Sequence, residues 1–189
     1  MVQIGLTGTI GAGKNAVADY LVHKYQFDFG FGSDILTQEV SQRGLPLTRE
    51  NLRDTANELR KEYGDAFLID LLCKEKGKDE DIVIGFFRTT GEVQRFKQFF
   101  PYAVVVAIDA PIELRYARTS ERKEEKDRVS FEKFQRQETF ESASDNPSNQ
   151  NVRACIDLAD YVINNNYSME FLYSAVDNIL EILKTKDLQ

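Results

Sequence analysis

Histidine and cysteine, the nitrogen and sulfur metal ligands, are scarce in this sequence. It has one histidine and two cysteines in 189 residues. His23 has no ligand partner at a metal-binding spacing and falls within a helical pattern, so it reads as a surface residue. Cys73 and Cys155 are far apart and form no CxxC pair, which points to reduced thiols in a cytosolic setting, packed as small apolar side chains. Positive charge is also in deficit: 24 Lys plus Arg stand against 31 Asp plus Glu, for a net charge of -7. No broad positive field exists to attract nucleic acid or an anionic membrane, so a bound anion needs a local cluster of cations. Long apolar runs are missing too, the longest being about Ala103 to Ile108. No membrane span is expected, and "MVQIGLTG" leaves no room for the apolar core of a cleaved signal peptide. The expected location is cytoplasmic.

What is present is a regular alternation of short apolar runs with helical patterns, the sign of an α/β fold with helices on both faces of a parallel sheet. Strands are predicted at Val2 to Leu6, Gln26 to Phe31, Ile82 to Phe87, Ala103 to Ile108 and Tyr161 to Asn164. Helices are predicted at Asn15 to Tyr25, Asp34 to Arg43 behind a cap at Ser33, Arg49 to Tyr63 between Thr48 and Gly64, and Ala66 to Lys76. Others follow at Glu92 to Phe99, Ile112 to Thr119 with Pro111 at the first helical position, Ser130 to Glu141, Asn149 to Leu158 and Met169 to Lys184. The length suits one domain, and neither the charged stretch Arg118 to Arg128 nor the loop "ESASDNPSNQN" is long enough to divide it.

The stretch "GLTGTIGAGKN" from Gly5 to Asn15 carries the chemistry. GxxxxGK alone arises by chance in about one chain of this length in twenty, so its weight comes from its place between a predicted strand and a predicted helix. Gly8, Gly11 and Gly13 let the backbone of Gly8, Thr9, Gly11, Ala12, Gly13, Lys14 and Asn15 wrap a phosphate. The helix after it adds a positive end, and Lys14 reaches the outer phosphates. A Ser or Thr would normally follow the lysine to hold magnesium. Asn15 stands there instead and offers a neutral amide oxygen, a weaker metal ligand.

"GLTGTIGAGK" resembles the opening of dephospho-coenzyme A kinases and of adenylate-kinase-like P-loop proteins, the nucleoside monophosphate kinase group. "SDILTQEVSQRG", "IVIGFFRTTGEVQRFKQFF", "AIDAPIELRYARTSER" and "ADYVINN" continue the likeness in the family's order, especially that of a poorly characterised branch. The resemblance implies a three-layer P-loop fold with five parallel strands ordered 2-3-1-4-5. It also implies an acceptor-binding helical insert at about 33–80 and a mobile lid at about 111–130. ATP and Mg2+ would be the cofactors, and a nucleotide-like small molecule of the monophosphate or dephospho-coenzyme A type would accept the phosphate. A second departure appears here: the family's third strand usually ends in "DGxR", whereas Gly85, Phe86, Phe87 and Arg88 occupy those places. The metal-orienting aspartate is missing.

By the same resemblance Arg88 clamps the acceptor's phosphate; the other account is a salt bridge to a carboxylate such as Glu92. Helical spacing puts Arg115, Arg118 and Arg122 on one face, which fits lid arginines acting on the transferred group as well as a solvated charged face, and Arg128 lies beyond them. Asp34, with Ser33 before it, stands where these kinases carry a carboxylate that meets the acceptor's hydroxyl, as general base or secondary metal ligand. Alternatively Asp34 only favours its own helix dipole. Asp109 reads as structural. Two functions remain open: a small-molecule kinase with an atypical magnesium site, and a nucleotide-binding regulatory or assembly module that has lost turnover. A GTPase is disfavoured because no NKxD motif is present and "NNN" at Asn164 to Asn166 is not one.

Overall fold

The computed structural model describes residues 1–76, 80–121, 129–142 and 149–186. β1 (Gln3–Gly8) runs into a glycine-rich loop and α1 (Lys14–Tyr25), and β2 (Asp28–Phe31) leads directly into α2 (Gly32–Gln42). The helices α3 (Arg49–Tyr63) and α4 (Phe67–Glu75) precede β3 (Ile82–Phe87), α5 (Thr90–Phe99) and β4 (Val104–Asp109). Then come α6 (Ile112–Ser120), α7 (Phe131–Ser142), α8 (Val152–Asp157), β5 (Tyr161–Asn164) and α9 (Met169–Lys186). The five strands form one parallel sheet in the order β2-β3-β1-β4-β5. Sequence and structure agree on this order, the fold class and the succession of elements.

Parallel strands covered on both faces need apolar side chains in both directions, which is why β3 and β4 read as continuous apolar runs. The alternation along β3 shows the two layers directly. Val83 joins Leu6, Val17, Leu21, Leu172 and Leu180 in the core beneath α1 and α9. Ile82 and Ile84 turn the other way, into the core with Ile69, Leu72, Phe96 and Cys155 that seats α4, α5 and α8. Neither cysteine forms a disulfide, and both are buried. Burial pushes the Cys155 thiol up to about 12.

Local chemistry sets the boundaries, and some differ from expectation. Thr48 caps α3 as predicted, accepting from the Asn51 amide at 3.1 Å. Ser33 does not cap α2; the helix starts one residue earlier, at Gly32, with Phe31 in the cap position and no side-chain cap. Pro111 occupies the cap position of α6 and not its first turn. Helix α5 starts at Thr90 because Thr89 and Glu92 form a reciprocal capping box. Among the described residues, no helix is long and apolar enough to cross a membrane.

Candidate functional site

The loop between β1 and α1 is held from outside by its carbonyl oxygens. Lys14 Nζ donates to the Gly8 and Thr9 carbonyls at 2.7 and 2.6 Å. Arg115 Nη1 donates to the Ile10 carbonyl at 3.1 Å, and Asn165 Nδ2 to the Ala12 carbonyl at 2.8 Å. The Thr9 hydroxyl donates to Asp109 at 2.6 Å, so the end of β4 anchors the loop's first turn. With these acceptors satisfied by the protein, the groups the loop keeps for a ligand are donors, which is the requirement of an anion site. Glycine is needed at two points in particular. At Gly8, φ is +131° and a Cβ would stand 1.9 Å from the Ile108 carbonyl oxygen. At Gly13, φ is +110° and a Cβ would press on Asn165. The first turn of α1 holds no acid, so the helix's positive end is uncompensated.

Lys14 is buried, and burial, followed by the charge of Arg88, holds its pKa well below the ordinary lysine value; Glu141 pulls the other way. Its ammonium also stands over the Phe86 ring, 5.3 Å from the centroid. The register explains this contact. β1 pairs Leu6 with Gly85 and then Thr7 with Phe87, so Phe86 is an extra residue in the ladder. Phe87 goes into the core, while Phe86 stacks on Phe31 and faces the lysine. An apolar ring therefore lies beside Lys14 at the strand end where an aspartate was expected.

The loop forms one wall of a cavity; α2, α3 and the end of β3 form the other. Loop residues Gly11, Gly13, Lys14 and Asn15 face Ser33 and Leu36 of α2, Arg49, Leu52, Arg53 and Arg60 of α3, and Phe86 and Arg88. Glu141 and Gln150 close it, and among the described residues Glu141 is the sole carboxylate in the wall, against five cations. The site is the local positive cluster that an acidic chain needs to hold an anion.

Arg88 lies on this wall, as expected of an acceptor clamp, but its partner is not Glu92. Its guanidinium donates to Glu141 at 2.8 Å, and Glu92 receives only the Arg88 backbone amide. The Glu92 carboxylate is taken by Arg60, 2.8 Å away and almost fully buried. Asn15 and Ser33 line the cavity; Asp34 is exposed in the first turn of α2 and is not part of the wall. The three lid arginines do not share one environment. Arg115 is buried, bound to Ala110 and bidentate to Glu138, so it belongs to the loop's support. Arg118 is half-buried, its Nη1 has no hydrogen-bond partner among the described residues, and burial lowers its pKa. Arg122 and Arg128 lie outside the described residues.

Arg49, Arg53, Glu141, Gln150 and Asn165 were not singled out from sequence. For the first two a signal existed: Arg49, Arg53 and Arg60 are spaced four and seven apart, which aligns them on one face of α3.

For magnesium the donor set is thin but compatible. Among the described residues there is no group of three or more His, Cys, Asp or Glu side chains that could hold a metal. In phosphate-transferring sites the ion keeps several waters, takes oxygens from the nucleotide, and needs one or two protein oxygens. The Asn15 amide and the Glu141 carboxylate, both on the cavity wall, can supply them.

A family profile described as "AAA domain" matches residues 7–135. A UPF0200 protein of Methanocaldococcus jannaschii is 32% identical over 185 residues, covering 96% of this chain and 90% of that protein. Among solved structures, a gluconokinase from Sinorhizobium meliloti 1021 superposes with a TM-score of 0.63 at 14% identity, covering 100% of this chain and 97% of its own. A shikimate kinase from Acinetobacter baumannii, in complex with shikimate, gives 0.60 at 19% identity, covering 100% and 96%. Both likenesses are of fold. They place the chain among P-loop kinase folds without singling out the dephospho-coenzyme A or adenylate kinase group.

Proposed function

The chain belongs to the UPF0200 family and carries an AAA domain at residues 7–135, and from that premise we propose that it is an ATP-dependent phosphotransferase acting on a nucleotide-like small molecule. The observation that carries this reading is the shared cavity, in which the phosphate loop and Arg88 present two cationic subsites across one space. In-line transfer asks for that arrangement, with positioned reactants and cations around the moving group.

In this reading the loop amides and Lys14 hold the outer phosphates of ATP, and Arg88 with Arg53 holds the acceptor's anionic group. The acceptor's oxygen forms the new bond to the γ-phosphorus, and the bond to the β–γ bridging oxygen breaks as ADP leaves. Asp34 stands just outside the wall, next to the wall residue Ser33 in the first turn of α2; in this reading it turns into the cavity when the acceptor binds and takes the hydroxyl proton. Arg118 and Arg122 meet the charge on the transferred group from a lid over about 111–130. The insert over about 33–80 binds the acceptor, and both belong to a single domain. Magnesium, when bound, neutralises the β- and γ-phosphate oxygens; Asn15 is the loop's donor toward it.

One observation favours a second reading, a nucleotide-binding module without turnover: Gly85 stands where the metal-orienting acid is expected, and the ring of the next residue, Phe86, lies beside Lys14. A single experiment separates the two. Thermal stability is measured with a panel of nucleotides, with and without magnesium, since a ligand of the native state raises it. Transfer from γ-labelled ATP is then followed with nucleoside monophosphates and dephospho-coenzyme A as acceptors. A shift with ATP together with a labelled product supports the kinase; a shift without product from any acceptor favours the module. No shift with any nucleotide removes both.

A further inference from the structure

We propose that Glu141 is the carboxylate that supports the divalent cation of this site, in place of the acid that β3 lacks. The proposal rests on the nucleotide-phosphate reading above. Glu141 arrives from α7, pairs with Arg88 just past the end of β3, and is 8% exposed. Among the described residues no other carboxylate stands on the wall. A buried acid in a cavity built for anionic ligands repels them, and its ion pair with Arg88 also competes for the group that would clamp an acceptor. A carboxylate in that position is useful when a cation enters with the nucleotide. At β3 the corresponding contribution is lost, since Gly85 has no side chain and Phe86 offers a ring. Magnesium bound to a nucleotide takes one or two protein carboxylates besides phosphate oxygens and water, and Glu141, on the cavity wall, can satisfy that need. Arrival of an anionic acceptor at Arg88 would free the carboxylate from its present partner.

The competing account is that Glu141 only immobilises Arg88, and the two separate in binding measurements that need no acceptor. The dissociation constant of ATP is measured by competition with a fluorescent ATP analogue in EDTA, in Mg2+ and in Mn2+, for the unaltered protein, E141Q and R88Q. E141Q is expected to bind metal-free ATP at least as tightly as the unaltered protein, since a repelling charge is gone, while losing about tenfold or more of the tightening that metal gives, the range seen when groups supporting a metal are removed. R88Q breaks the same ion pair and leaves the carboxylate, so it keeps the tightening. Full tightening in E141Q, or equal loss in both variants, overturns the proposal; so does ATP binding by the unaltered protein that metal leaves unchanged. Failure of the unaltered protein to bind ATP under any condition is a different result and overturns the phosphate-loop reading itself. If E141Q does not fold, E141D is read in its place: it shortens the reach by one methylene, and an undiminished tightening there overturns the proposal.

Discussion

Arg115 Nη1, on α6, donates to the carbonyl of Ile10 in the phosphate loop at 3.1 Å, while the same guanidinium is held bidentate by Glu138 of α7. One buried cation therefore joins the loop to α6 and α7, the first two helices after β4. Removing it leaves Glu138 without its partner and frees the Ile10 carbonyl. Arg115→Ala is expected to cost about 3–5 kcal/mol, as for other broken buried pairs, and to weaken ATP binding through the loop. Arg115→Lys keeps the charge but not the fork, so it should restore only part of either loss. Chemical denaturation and ATP titration of the two variants check this, and wild-type affinity in Arg115→Ala would detach the loop from α6.

Lys14 makes the site sensitive to pH. Its pKa is depressed by burial first and by Arg88 second. For a base with a lowered folded-state pKa, the unfolded chain binds more protons between that value and the ordinary lysine value. Stability therefore rises with pH across that window, and the full penalty applies below it. Lys14→Met should flatten this rise and weaken ATP binding clearly. Phosphate oxygens at the ammonium favour the charged form, so ATP binding should take up a proton within the window. Calorimetry in buffers of different ionisation enthalpy measures that uptake, which should vanish in Lys14→Met.

Arg88 and Arg60 predict opposite outcomes. Arg60 is locked to Glu92, which also completes the cap of α5, so Glu92→Ala should lower stability by about 3–5 kcal/mol and leave the relative affinities for ATP and acceptor unchanged. Arg88 faces the cavity and should behave as a ligand group: Arg88→Ala raises the acceptor's binding constant more than that of ATP. Equal effects on both ligands would make Arg88 structural.

The parts legible in the sequence were those determined by local pattern. The strand, glycine loop and helix order is the one the structure has at Gln3–Tyr25, and strands buried on both faces exposed the sheet. Arg88 was placed at the cavity because it directly follows β3, although its partner was not foreseen: Glu92 is three residues into a capping box and is committed to Arg60. Glu141 and Gln150 reach the cavity through the packing of α7 and the approach to α8, and no spacing rule connects them to Lys14. Phe86 became prominent through a one-residue bulge, which apolar alternation does not reveal. Asn165 was considered only as a failed guanine motif, yet it grips the Ala12 carbonyl.

The two departures at the metal can be reversed together. Asn15 is exposed on the cavity wall, so Asn15→Thr restores a hydroxyl with little structural consequence. Gly85 is harder. Its φ is not left-handed, and a Cβ there would stand 3.5 Å from Leu6 and the Phe31 ring, an ordinary contact, so the backbone accepts a side chain. The carboxylate of Gly85→Asp, however, would lie against those apolar groups, where its pKa rises and an unpaired charge costs several kcal/mol. Gly85→Asp alone should therefore destabilise the fold, most strongly above neutral pH where the buried acid is driven to ionise. Magnesium with ATP should recover part of that loss by supplying the missing positive partner. The double variant should then need less magnesium for phosphotransfer and turn over faster than the unaltered protein. Unfolding, Mg-ATP binding and product formation are followed in the same preparations. If the folded double variant binds Mg-ATP more tightly and neither form phosphorylates any acceptor in the panel, the phosphotransferase reading gives way to the nucleotide-sensing module.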